Sequence, residues 1–530
     1  MVTATTFVLV CLFPFISPSN ILVVSPALSM SHFKVGEAIA TGLANAGHNV
    51  TLISPYDYKP KIRNIEPVQI AGLAEQAKSR AKLRVPVYIK RRKNNSTSSL
   101  DSYHKMPVAV LLPIILYLGA DLCNLTLSHA NVKALYGRKF DLIVLEMFST
   151  EALIGLGQQF NAPVIAYSAL ATSRWTNDLI GNESPTSYIP HPFLDLPVKF
   201  NLWHRVCNYL FYVYESILFA VLHHPLQRSI YDAAFPDAKL SYDEARKNVS
   251  LIFVNSHFSL ARPLPYVPNT IEVGGLHINR FPDPLPQNIK EFIESAEDGV
   301  FLFSMGSILN SAAFPIEKRD MFINAFANIK QKIIWKFEDE TVQMPKNVLT
   351  SSWLPQTDIL SHPNVKAFIS HGGLLGTAEA VYHGVPMIAI PLSGDTRLNV
   401  ERASEDGWVI RLDYANITME SVEWAVREIA DNEKYFTNAK IMSQRYRDQP
   451  MTPNELMVYW SEYIIRHRGA PHLRSTGLDL NYVQYHNIDV LLVLISFISV
   501  AVYALRWIVS KTCWRRKSMK QKQSDEKKWQ

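Results

Sequence analysis

The chain has 530 residues, too many for a single hydrophobic core, which indicates two or more globular domains. Hydrophobic residues make up 48% of it and charged residues 19%, which excludes a largely disordered protein. The net charge is +6, and residues 510–530 alone hold eight Lys or Arg against two acidic residues, so the rest of the chain is neutral overall. This distribution gives no indication of nucleic-acid binding.

Both ends of the chain have the pattern of targeting segments. Residues 7–16 (FVLVCLFPFI) form a short apolar run, and small residues that suit a signal peptidase follow at Ser17 and Ser19. We therefore predict a signal peptide over residues 1–19, cleaved before Asn20. Residues 488–509 are a second apolar run of 22 residues, long enough to cross a bilayer as a helix.

The basic tail after the second run predicts the orientation of the chain. Basic flanks mark the cytosolic side of a membrane span, so we expect residues 510–530 in the cytosol and the bulk of the chain in the lumen. Lys527 and Lys528 stand fourth and third from the end and resemble the dilysine signal that returns membrane proteins to the endoplasmic reticulum. The prediction is a single-pass type I protein of the endoplasmic reticulum membrane.

Lumenal exposure also predicts N-glycosylation and allows disulfides. The candidate acceptor residues, each within an N-x-S/T sequon, are Asn94, Asn95, Asn124, Asn182, Asn248 and Asn416. Cys123 and Cys207 could pair in a disulfide, although their spacing gives no support for it.

The first half of the lumenal sequence alternates strand and helix patterns. Residues 21–26 (ILVVSP) predict a buried strand, residues 31–48 a helix with apolar side chains at helical spacing, and residues 49–54 (NVTLIS) a second strand. Further buried strands are predicted at residues 140–146 and 162–168. Alternating strands and helices imply a parallel sheet.

Residues 188–224 interrupt this alternation with an unusually aromatic composition. Three interpretations stay open from the sequence. The segment could be an amphipathic element that touches lipid, the lining of an apolar substrate pocket, or an ordinary buried helix pair.

The second half repeats the alternation more regularly. Strands are predicted at residues 300–307, 332–337, 348–355, 365–370, 386–391 and 408–413, with helices near 316–329, 374–383, 397–405 and 419–431. Residues 274–286, rich in Gly and Pro, are typical of a linker between the halves. The predicted fold class is α/β, with two doubly wound Rossmann-like domains facing each other across a cleft and a C-terminal transmembrane helix.

The predicted boundaries follow from these patterns. They are a signal peptide (1–19), an N-terminal domain (20–273), a linker (274–286), a C-terminal domain (287–450), C-terminal helices with a juxtamembrane segment (451–487), a transmembrane helix (488–509) and a basic tail (510–530).

The stretch SHGGLLG (370–376) follows a predicted strand at the edge where ligands bind in doubly wound domains. A helix that begins near Leu374 would point its free N–H groups and positive dipole end at that edge, which suits a diphosphate. The glycines would let phosphate oxygens approach the backbone, and His371 can donate a further hydrogen bond. Glu379, on the same helix, could accept hydrogen bonds from both hydroxyls of a ribose.

Three more predicted strand ends offer suitable groups at the same edge. The indole of Trp353 could stack on a base, and Gln356 could bond to base or ribose. Ser304, Gly306 and Ser307 follow the first strand of the domain and could place small donors near phosphate. The strand after the glycine stretch ends near Asp395, which could bind sugar hydroxyls.

In this order and spacing, the residues resemble the signature of the UDP-glycosyltransferase family, which runs W-x-x-Q, H-x-G, E and D-Q and spans 44 residues here. The matching residues are Trp353, Gln356, His371, Gly373, Glu379 and Asp395. The resemblance extends from ILVVSPALSMSH near the start to the dilysine end. It implies a GT-B fold, a UDP-sugar as co-substrate with no further cofactor, and a donor site that also includes Ser304, Gly306, Ser307, Gly376, Thr377 and Thr396.

Two positions depart from the family pattern. Thr396 stands where the family usually has a glutamine that bonds the donor sugar, and Leu375 stands where many relatives have asparagine. The His-Gly-Gly-Leu-Leu sequence is more similar to the invertebrate branch, which mostly uses UDP-glucose, so glucose is the expected sugar. No D-x-D motif is present, so we expect the leaving group to be stabilised by the helix dipole and His371 without a metal ion.

The resemblance places His32 at the position of the family's catalytic base, although a histidine there could by itself be a capping or core residue. A histidine base needs a carboxylate that fixes its tautomer and stabilises the imidazolium. The family has an aspartate at the end of the strand 140–146, where this chain has Glu146, and Glu151 is a rival. The expected mechanism is direct displacement with inversion on a small lipophilic acceptor.

Two other functions stay open. The departures at Glu146 and Thr396 allow a non-catalytic relative that binds a nucleotide-sugar or regulates a partner by association. A nucleotide-sugar epimerase would share the architecture but fits poorly with a membrane anchor. The partners that the resemblance implies are a UDP-sugar, a lipophilic acceptor and the membrane, with homo- or hetero-oligomers left open.

Overall fold

The computed structural model describes residues 18–84, 106–307 and 309–528. The apolar run of the predicted signal peptide and the sequons at Asn94 and Asn95 lie outside these ranges. The chain divides into two compact units, one up to Arg474 and one from Ser475 onward.

The first unit begins with a seven-stranded parallel sheet. Its strands are β1 (Asn20–Val24), β2 (Asn49–Ser54), β3 (Ile65–Gln69), β4 (Leu142–Glu146), β5 (Val164–Ser168), β6 (Leu251–Val254) and β7 (Thr270–Glu272). They lie in the order β3-β2-β1-β4-β5-β6-β7. The central strands β4, β5 and β6 are uninterrupted runs of buried residues, as expected for a parallel sheet covered by helices on both faces.

A second parallel sheet follows in the same unit. Its strands are β8 (Val300–Ser304), β9 (Lys332–Lys336), β10 (Val348–Ser351), β11 (Val365–Ser370), β12 (Met387–Ala389) and β13 (Val409–Arg411). Their order, β10-β9-β8-β11-β12-β13, repeats the order of the first six strands of the other sheet. The predicted fold of two doubly wound domains is therefore confirmed.

Each sheet reverses its direction of winding between its first and fourth strands, β1 and β4 in one and β8 and β11 in the other. At such a reversal the crossovers leave in opposite directions, so a crevice opens at the carboxyl ends of the two central strands. Residues that follow these four strands are consequently brought to the same edges.

Helices connect the strands and cover both sheets. In the described part of the first unit they are Met30–Asn45, Leu73–Arg84, Val108–Ser128, Ala130–Lys133, Gly155–Phe160, Arg174–Ile180, Leu202–Leu218, His224–Ala234, Tyr242–Arg246, Gln287–Glu294, Ile316–Ala327, Gln356–Leu360, Leu374–His383, Thr396–Glu405, Met419–Asp431, Glu433–Arg447 and Pro453–Arg466. Short 3₁₀ turns lie at Glu151–Ile154, Ser311–Ala313, Tyr414–Asn416 and Pro471–Leu473, and a π turn at Phe219–His223.

Several predicted strands are shorter in the structure than in the sequence pattern, among them those predicted over 386–391 and 408–413, and two of them end beside the cleft. The strand predicted over 300–307 ends at Ser304, because the backbone leaves the sheet at Gly306, whose φ is +84°. The strand predicted over 348–355 ends at Ser351, before the Trp-Leu-Pro sequence that opens the next helix. In both places the residues beyond the strand become available to the cleft.

The helix Pro453–Arg466 lies in the predicted C-terminal helical segment but packs on the first domain. Met457 and Ile464 belong to the same buried cluster as Ile39 and Leu43 of the first helix. A Cβ atom at Gly42 would lie 2.6 Å from Cε of Met457, so the two helices pack closely here and a larger residue would have to displace the end of the Met457 side chain. The chain therefore crosses from the second domain back to the first before it reaches the second unit.

The aromatic segment forms a helix with one buried side and one exposed apolar side. The inner side of the helix Leu202–Leu218 and the following π turn buries Tyr212, Glu215 and Phe219 in the first domain. Its outer side exposes large apolar side chains at Leu202, Trp203, Val206, Tyr209, Leu210, Val213, Ile217 and Val221. The segment is not a buried helix pair.

Three helices of the described residues are long and apolar enough to cross a membrane, namely Val108–Ser128, Leu202–Ala234 and Ile488–Asp525. The first two bury part of their surface within the first unit, whereas the apolar window of the third has no buried residue. In the second unit the helix runs from Ile488 to Glu526, so the predicted span continues as helix into the basic tail. Short turns at Thr476–Asp479 and Tyr482–Tyr485 precede it. Cys123 and Cys207 are free.

Candidate active site

His32 and Glu146 form a buried pair at the reversal point of the first sheet. His32 lies in the first turn of the helix that follows β1, and Glu146 is the last residue of β4. Nδ1 of His32 is 2.6 Å from Oε1 of Glu146, and the two residues are 8% and 0% exposed. With Nδ1–H donating to the carboxylate, Nε2 keeps the lone pair that a general base requires.

The second carboxylate oxygen of Glu146 is also bonded. Oε2 accepts from Oγ of Ser25 at 3.3 Å and from the backbone N–H of Ala27 at 3.4 Å. Both donors follow β1, the neighbouring strand. Burial, together with the charge of Glu146, raises the pKa of Tyr56 to about 12. The carboxylate is therefore fixed on both oxygens and acts as a local negative charge.

Glu151, the rival partner, is engaged elsewhere. Its Oε2 accepts from the hydroxyl of Tyr242 at 2.6 Å and from Nε of Arg246 at 3.0 Å, and Nε2 of His223 is 3.2 Å away. Burial alone would raise the pKa of Glu151, but Arg246 and His223 outweigh it and lower the pKa below its usual range. The structure brings Glu146, and not Glu151, to His32.

The Glu151 network also contains residue types that bind metal ions. Glu151, His223 and His224 have potential ligand atoms within 4.8 Å of one another. Because Arg246 already neutralises the carboxylate, a divalent cation would have to displace a guanidinium. The geometry is that of a structural ion-pair network between the 3₁₀ turn after β4 and the π turn.

His371 lies at the reversal point of the second sheet, between two glycines. A Cβ atom at Gly306 would be 2.6 Å from Cε1 of the imidazole, and one at Gly373 would be 2.5 Å from Nε2. These two glycines therefore make room for the ring. Burial lowers the pKa of His371 to about 4, so near neutral pH the ring is uncharged and can donate one hydrogen bond.

The helix Leu374–His383 begins directly beside His371. Its N-cap is Gly373, in an extended conformation with no side-chain cap for the first-turn amides. Such amides, with the positive end of the helix dipole, form a site for anions. The predicted diphosphate site is thus a bare helix terminus next to one neutral imidazole.

Glu379 lies further along that helix, buried in the wall of the cleft. Its Oε2 accepts from Nε2 of Gln356 at 2.6 Å, and its Oε1 is 3.4 Å from Nε2 of His277. Burial raises the pKa of Glu379, but the nearby imidazole of His277 and the bonds from Gln356 and Thr357 outweigh burial and lower the pKa. An ionised carboxylate in a buried site is a strong acceptor for the hydroxyls of a diol.

Asp395 lies at the end of the second domain's cleft that faces the first domain. Its Oδ2 accepts from Nδ2 of Asn399 at 3.0 Å, and burial raises the pKa of Asp395, opposed first by this bond. His32 and Asp395 line the same cavity, so the two predicted sites face each other across the cleft.

Two predicted donor-site hydroxyls are used within the fold. Oγ1 of Thr396 donates to the carbonyl of Ser393 at 2.8 Å, although Thr396 lines the cleft. Oγ1 of Thr377 donates to the carbonyl of Gly373 at 3.0 Å, and Thr377 lines a smaller cavity of about 130 Å³ that adjoins the main cleft and shares Phe148 and Asp395 with it. Thr377 itself does not line the main cleft.

One cavity of about 470 Å³ joins the two halves of the site. From the second domain it is lined by Ser304, Gly306, Ser307, Trp353, Gln356, His371, Gly373, Gly376, Glu379, Asp395 and Thr396. From the first domain it is lined by His32 and by the apolar side chains of Leu111, Ile115, Phe148, Leu170 and Phe193. Trp353 is 57% exposed, so its indole face is accessible.

Several lining residues were not predicted from the sequence. Phe148 packs on His32 edge to face, with ring centroids 4.9 Å apart, and Trp175 packs on Phe148 at 5.8 Å. Phe148 could have been found from its place directly after β4, where residues reach the cleft edge. Trp175, His277 and Asn399 carry no local signal, because apolar and linker residues look alike in the core and in a pocket.

The described sequons differ in accessibility. Asn124, Asn248 and Asn416 are exposed. Asn182 is 7% exposed, and its amide donates to Thr270 and accepts from the N–H of Val267. A glycan would be attached at this buried Nδ2, which leaves no room for a sugar without local unfolding, so the structure argues against the prediction at that site.

Two doubly wound domains with one shared cleft define a GT-B glycosyltransferase fold. The solved structure of the calicheamicin glycosyltransferase CalG4 has the same fold, with a TM-score of 0.55 and 15% identity over 85% of this chain and 99% of that one. A family model described as UDP-glucoronosyl and UDP-glucosyl transferase matches residues 19–524, and the chain belongs to this family.

Relatives agree with this membership. The chain is 34% identical to UDP-glucosyltransferase 2 of Dactylopius coccus over 93% of this chain and 92% of the relative. It is 31% identical to UDP-glucuronosyltransferase 2B1 of Rattus norvegicus over 74% and 73% of the two chains. The enzyme class predicted from the motifs, a UDP-glycosyltransferase, is confirmed.

Proposed function

We propose that this UDP-glycosyltransferase moves a hexose, foremost glucose, from a UDP-sugar to a hydroxyl of a small lipophilic acceptor with inversion. The observation that supports this most directly is the cavity in which the His32–Glu146 pair faces the anion-binding helix terminus of the second domain. A base and a leaving-group site are thus held on opposite walls of one cleft.

In the proposed reaction, Nε2 of His32 takes the proton of the acceptor hydroxyl as its oxygen attacks the anomeric carbon. The bond from that carbon to the diphosphate oxygen breaks, and UDP leaves with the bonding electrons. Glu146, bonded to Nδ1–H, stabilises the imidazolium that forms. The first-turn amides at Leu374 and the N–H of His371 receive the charge of the diphosphate, so no metal ion is proposed.

The acceptor half of the proposal rests on the apolar wall around His32. Phe148 and Phe193 line the cavity there, and a cluster of Leu112, Leu116, Trp175, Phe193 and Phe219 lies behind it. Phe148 also excludes water from one edge of the base. A flat, apolar molecule with one hydroxyl fits such a wall better than a polar or charged acceptor.

With UDP-glucose as donor, we expect a β-linked product, since a single displacement inverts the α-linkage of the donor. The rate should stay within about twofold when EDTA is added, because the helix terminus replaces a metal ion at the leaving group. UDP-glucose, UDP-glucuronate, UDP-galactose and UDP-N-acetylglucosamine would be compared on one phenolic acceptor, with NMR of the product.

Each outcome of this screen is decisive. An α-linked product would contradict a single displacement, and loss of activity in EDTA would contradict the metal-free mechanism. UDP binding without turnover of any donor would favour the alternative of a non-catalytic nucleotide-sugar-binding relative, which the internal bonding of Thr396 leaves open.

We further propose a single-pass type I location in the endoplasmic reticulum membrane, with the two domains in the lumen. The apolar helix from Ile488 and the basic residues that follow it support the anchor and its orientation. The exposed apolar side of the helix Leu202–Leu218 also favours a place near lipid, because so many large apolar side chains are rarely left in water.

The orientation can be tested in sealed microsomes. Protease added outside should remove an epitope tag placed after Gln530 and spare the rest of the chain, whereas detergent should expose the whole chain. Endoglycosidase treatment should lower the mass of the protected fragment through Asn124, Asn248 or Asn416. A tag that survives until detergent is added would reverse the proposed topology.

A further inference from the structure

His277 belongs to the segment that links the two domains, yet its side chain reaches the donor half of the cleft. The side chain is 5% exposed and lines the same cavity as Glu379 and Gln356. Nε2 of His277 is 3.4 Å from Oε1 of Glu379, and neither ring nitrogen makes a hydrogen bond of good geometry. A buried donor without a full bond is costly, and this is expected where a bound ligand completes the arrangement.

The carboxylate of Glu379 is therefore approached from both sides. Gln356 donates to Oε2 at 2.6 Å, while the imidazole of His277 lies against Oε1. Each carboxylate oxygen can accept two hydrogen bonds, so both keep capacity for a ligand hydroxyl. Together with Thr357, which also bonds to this carboxylate, the two neighbours determine its plane and hence which pair of hydroxyls it can accept together.

We propose that His277 is a positioning residue for the ribose of the uridine nucleotide. Its contact with Oε1, which the bound ribose would tighten into a hydrogen bond, sets the carboxylate of Glu379 so that both ribose hydroxyls are accepted at once. This inference rests on the proposed function, a UDP-sugar transferase, and on the prediction from the sequence that Glu379 accepts the ribose hydroxyls. Because His277 belongs to the linker, a bound ribose would also fix the linker against the second domain.

The test is the discrimination between UDP and 2′-deoxy-UDP, measured by titration calorimetry on the full-length protein in nanodiscs. The native protein should bind UDP at least about tenfold more tightly, because the deoxy ligand loses a bond to a charged acceptor. His277→Ala should weaken the binding of UDP about tenfold and that of 2′-deoxy-UDP much less. The ratio of the two dissociation constants, 2′-deoxy-UDP over UDP, should therefore fall to about two. His277→Gln, which keeps an N–H donor, should restore part of the ratio.

Control variants separate a positioning role from a structural one. His257→Ala removes another largely buried histidine, which stacks on Tyr446 with ring centroids 4.1 Å apart, and should leave the ratio unchanged. If His277→Ala weakened the binding of both ligands equally, so that the ratio of their dissociation constants stayed unchanged, the proposal would be overturned. If the alanine variant does not fold, His277→Phe, which fills the site without a donor, supplies the same comparison.

A different result is expected if the ribose does not bind at Glu379 at all. Glu379→Gln should also reduce the ratio, and combined with His277→Ala it should reduce it little further, because both act on one contact. If Glu379→Gln keeps the native ratio, the ribose does not bind at Glu379 and the proposed donor site itself is wrong.

Discussion

Replacing His32 by alanine is expected to lower kcat for sugar transfer about 10³-fold while leaving the affinity for UDP unchanged. The acceptor hydroxyl would lose the Nε2 atom that takes its proton, whereas the diphosphate site lies on the other wall of the cleft. Water could replace the base only poorly, because Phe148 covers one edge of its position. Single-turnover rates with UDP-glucose and a phenolic acceptor, with calorimetry of UDP, measure both quantities.

A matched control for this variant is His48→Ala. His48 is 1% exposed and pairs with Glu462 of the helix Pro453–Arg466, outside the cleft. Its loss should lower the free energy of unfolding and leave kcat of the folded protein near the native value. If His32→Ala retains transfer, or if UDP binding is lost with it, His32 is not the base.

Replacing Glu146 by glutamine should lower kcat about 10²- to 10³-fold, again with native UDP affinity. The amide has the shape of the carboxylate but no charge, so the imidazolium in the transition state loses its stabilising partner. The amide can also donate to Nδ1 of His32, which would place the proton on Nε2 and remove the base. Rates and UDP affinities measured as for His32 test this expectation.

Glu151→Gln is the control for Glu146→Gln, because it makes the same chemical change five residues further along the chain. Glu151 pairs with Arg246, so its replacement leaves a buried guanidinium without its partner. It should cost about 3 kcal/mol of the free energy of unfolding and leave kcat of the folded protein within about threefold. If Glu151→Gln lowered kcat as much as Glu146→Gln, the His32–Glu146 contact would not be specifically required for catalysis.

The choice between these two carboxylates shows where sequence reasoning ends. Both are acidic residues near the carboxyl end of the same predicted strand, only five positions apart. The structure separates them because the strand ends at Glu146, next to β1, whereas Glu151 starts a 3₁₀ turn that faces Arg246. Which side chain meets His32 depends on neighbouring strands that are far apart in the chain.

More residues of the donor half of the cleft than of its acceptor half could be predicted from the sequence. Trp353, Gln356, His371 and Glu379 belong to strand–loop–helix units whose short loops place them at a sheet edge, so a local pattern determines their position. The apolar wall comes from Leu111, Ile115, Phe148 and Phe193, which no motif distinguishes from core residues. Their role follows only from the shape of the assembled cleft.

The sequence by itself determined the two alternating strand–helix halves, the apolar C-terminal run and the family, because each depends on periodicity or spacing within short stretches. Only the tertiary structure decided that β1 lies beside β4 and β8 beside β11, which brings His32 to Glu146 and Ser304 to His371. It likewise decided that a linker histidine reaches Glu379 and that Asn182 is buried. The physical reason is that contacts between distant segments depend on strand order and on the packing of whole domains, which no local pattern specifies.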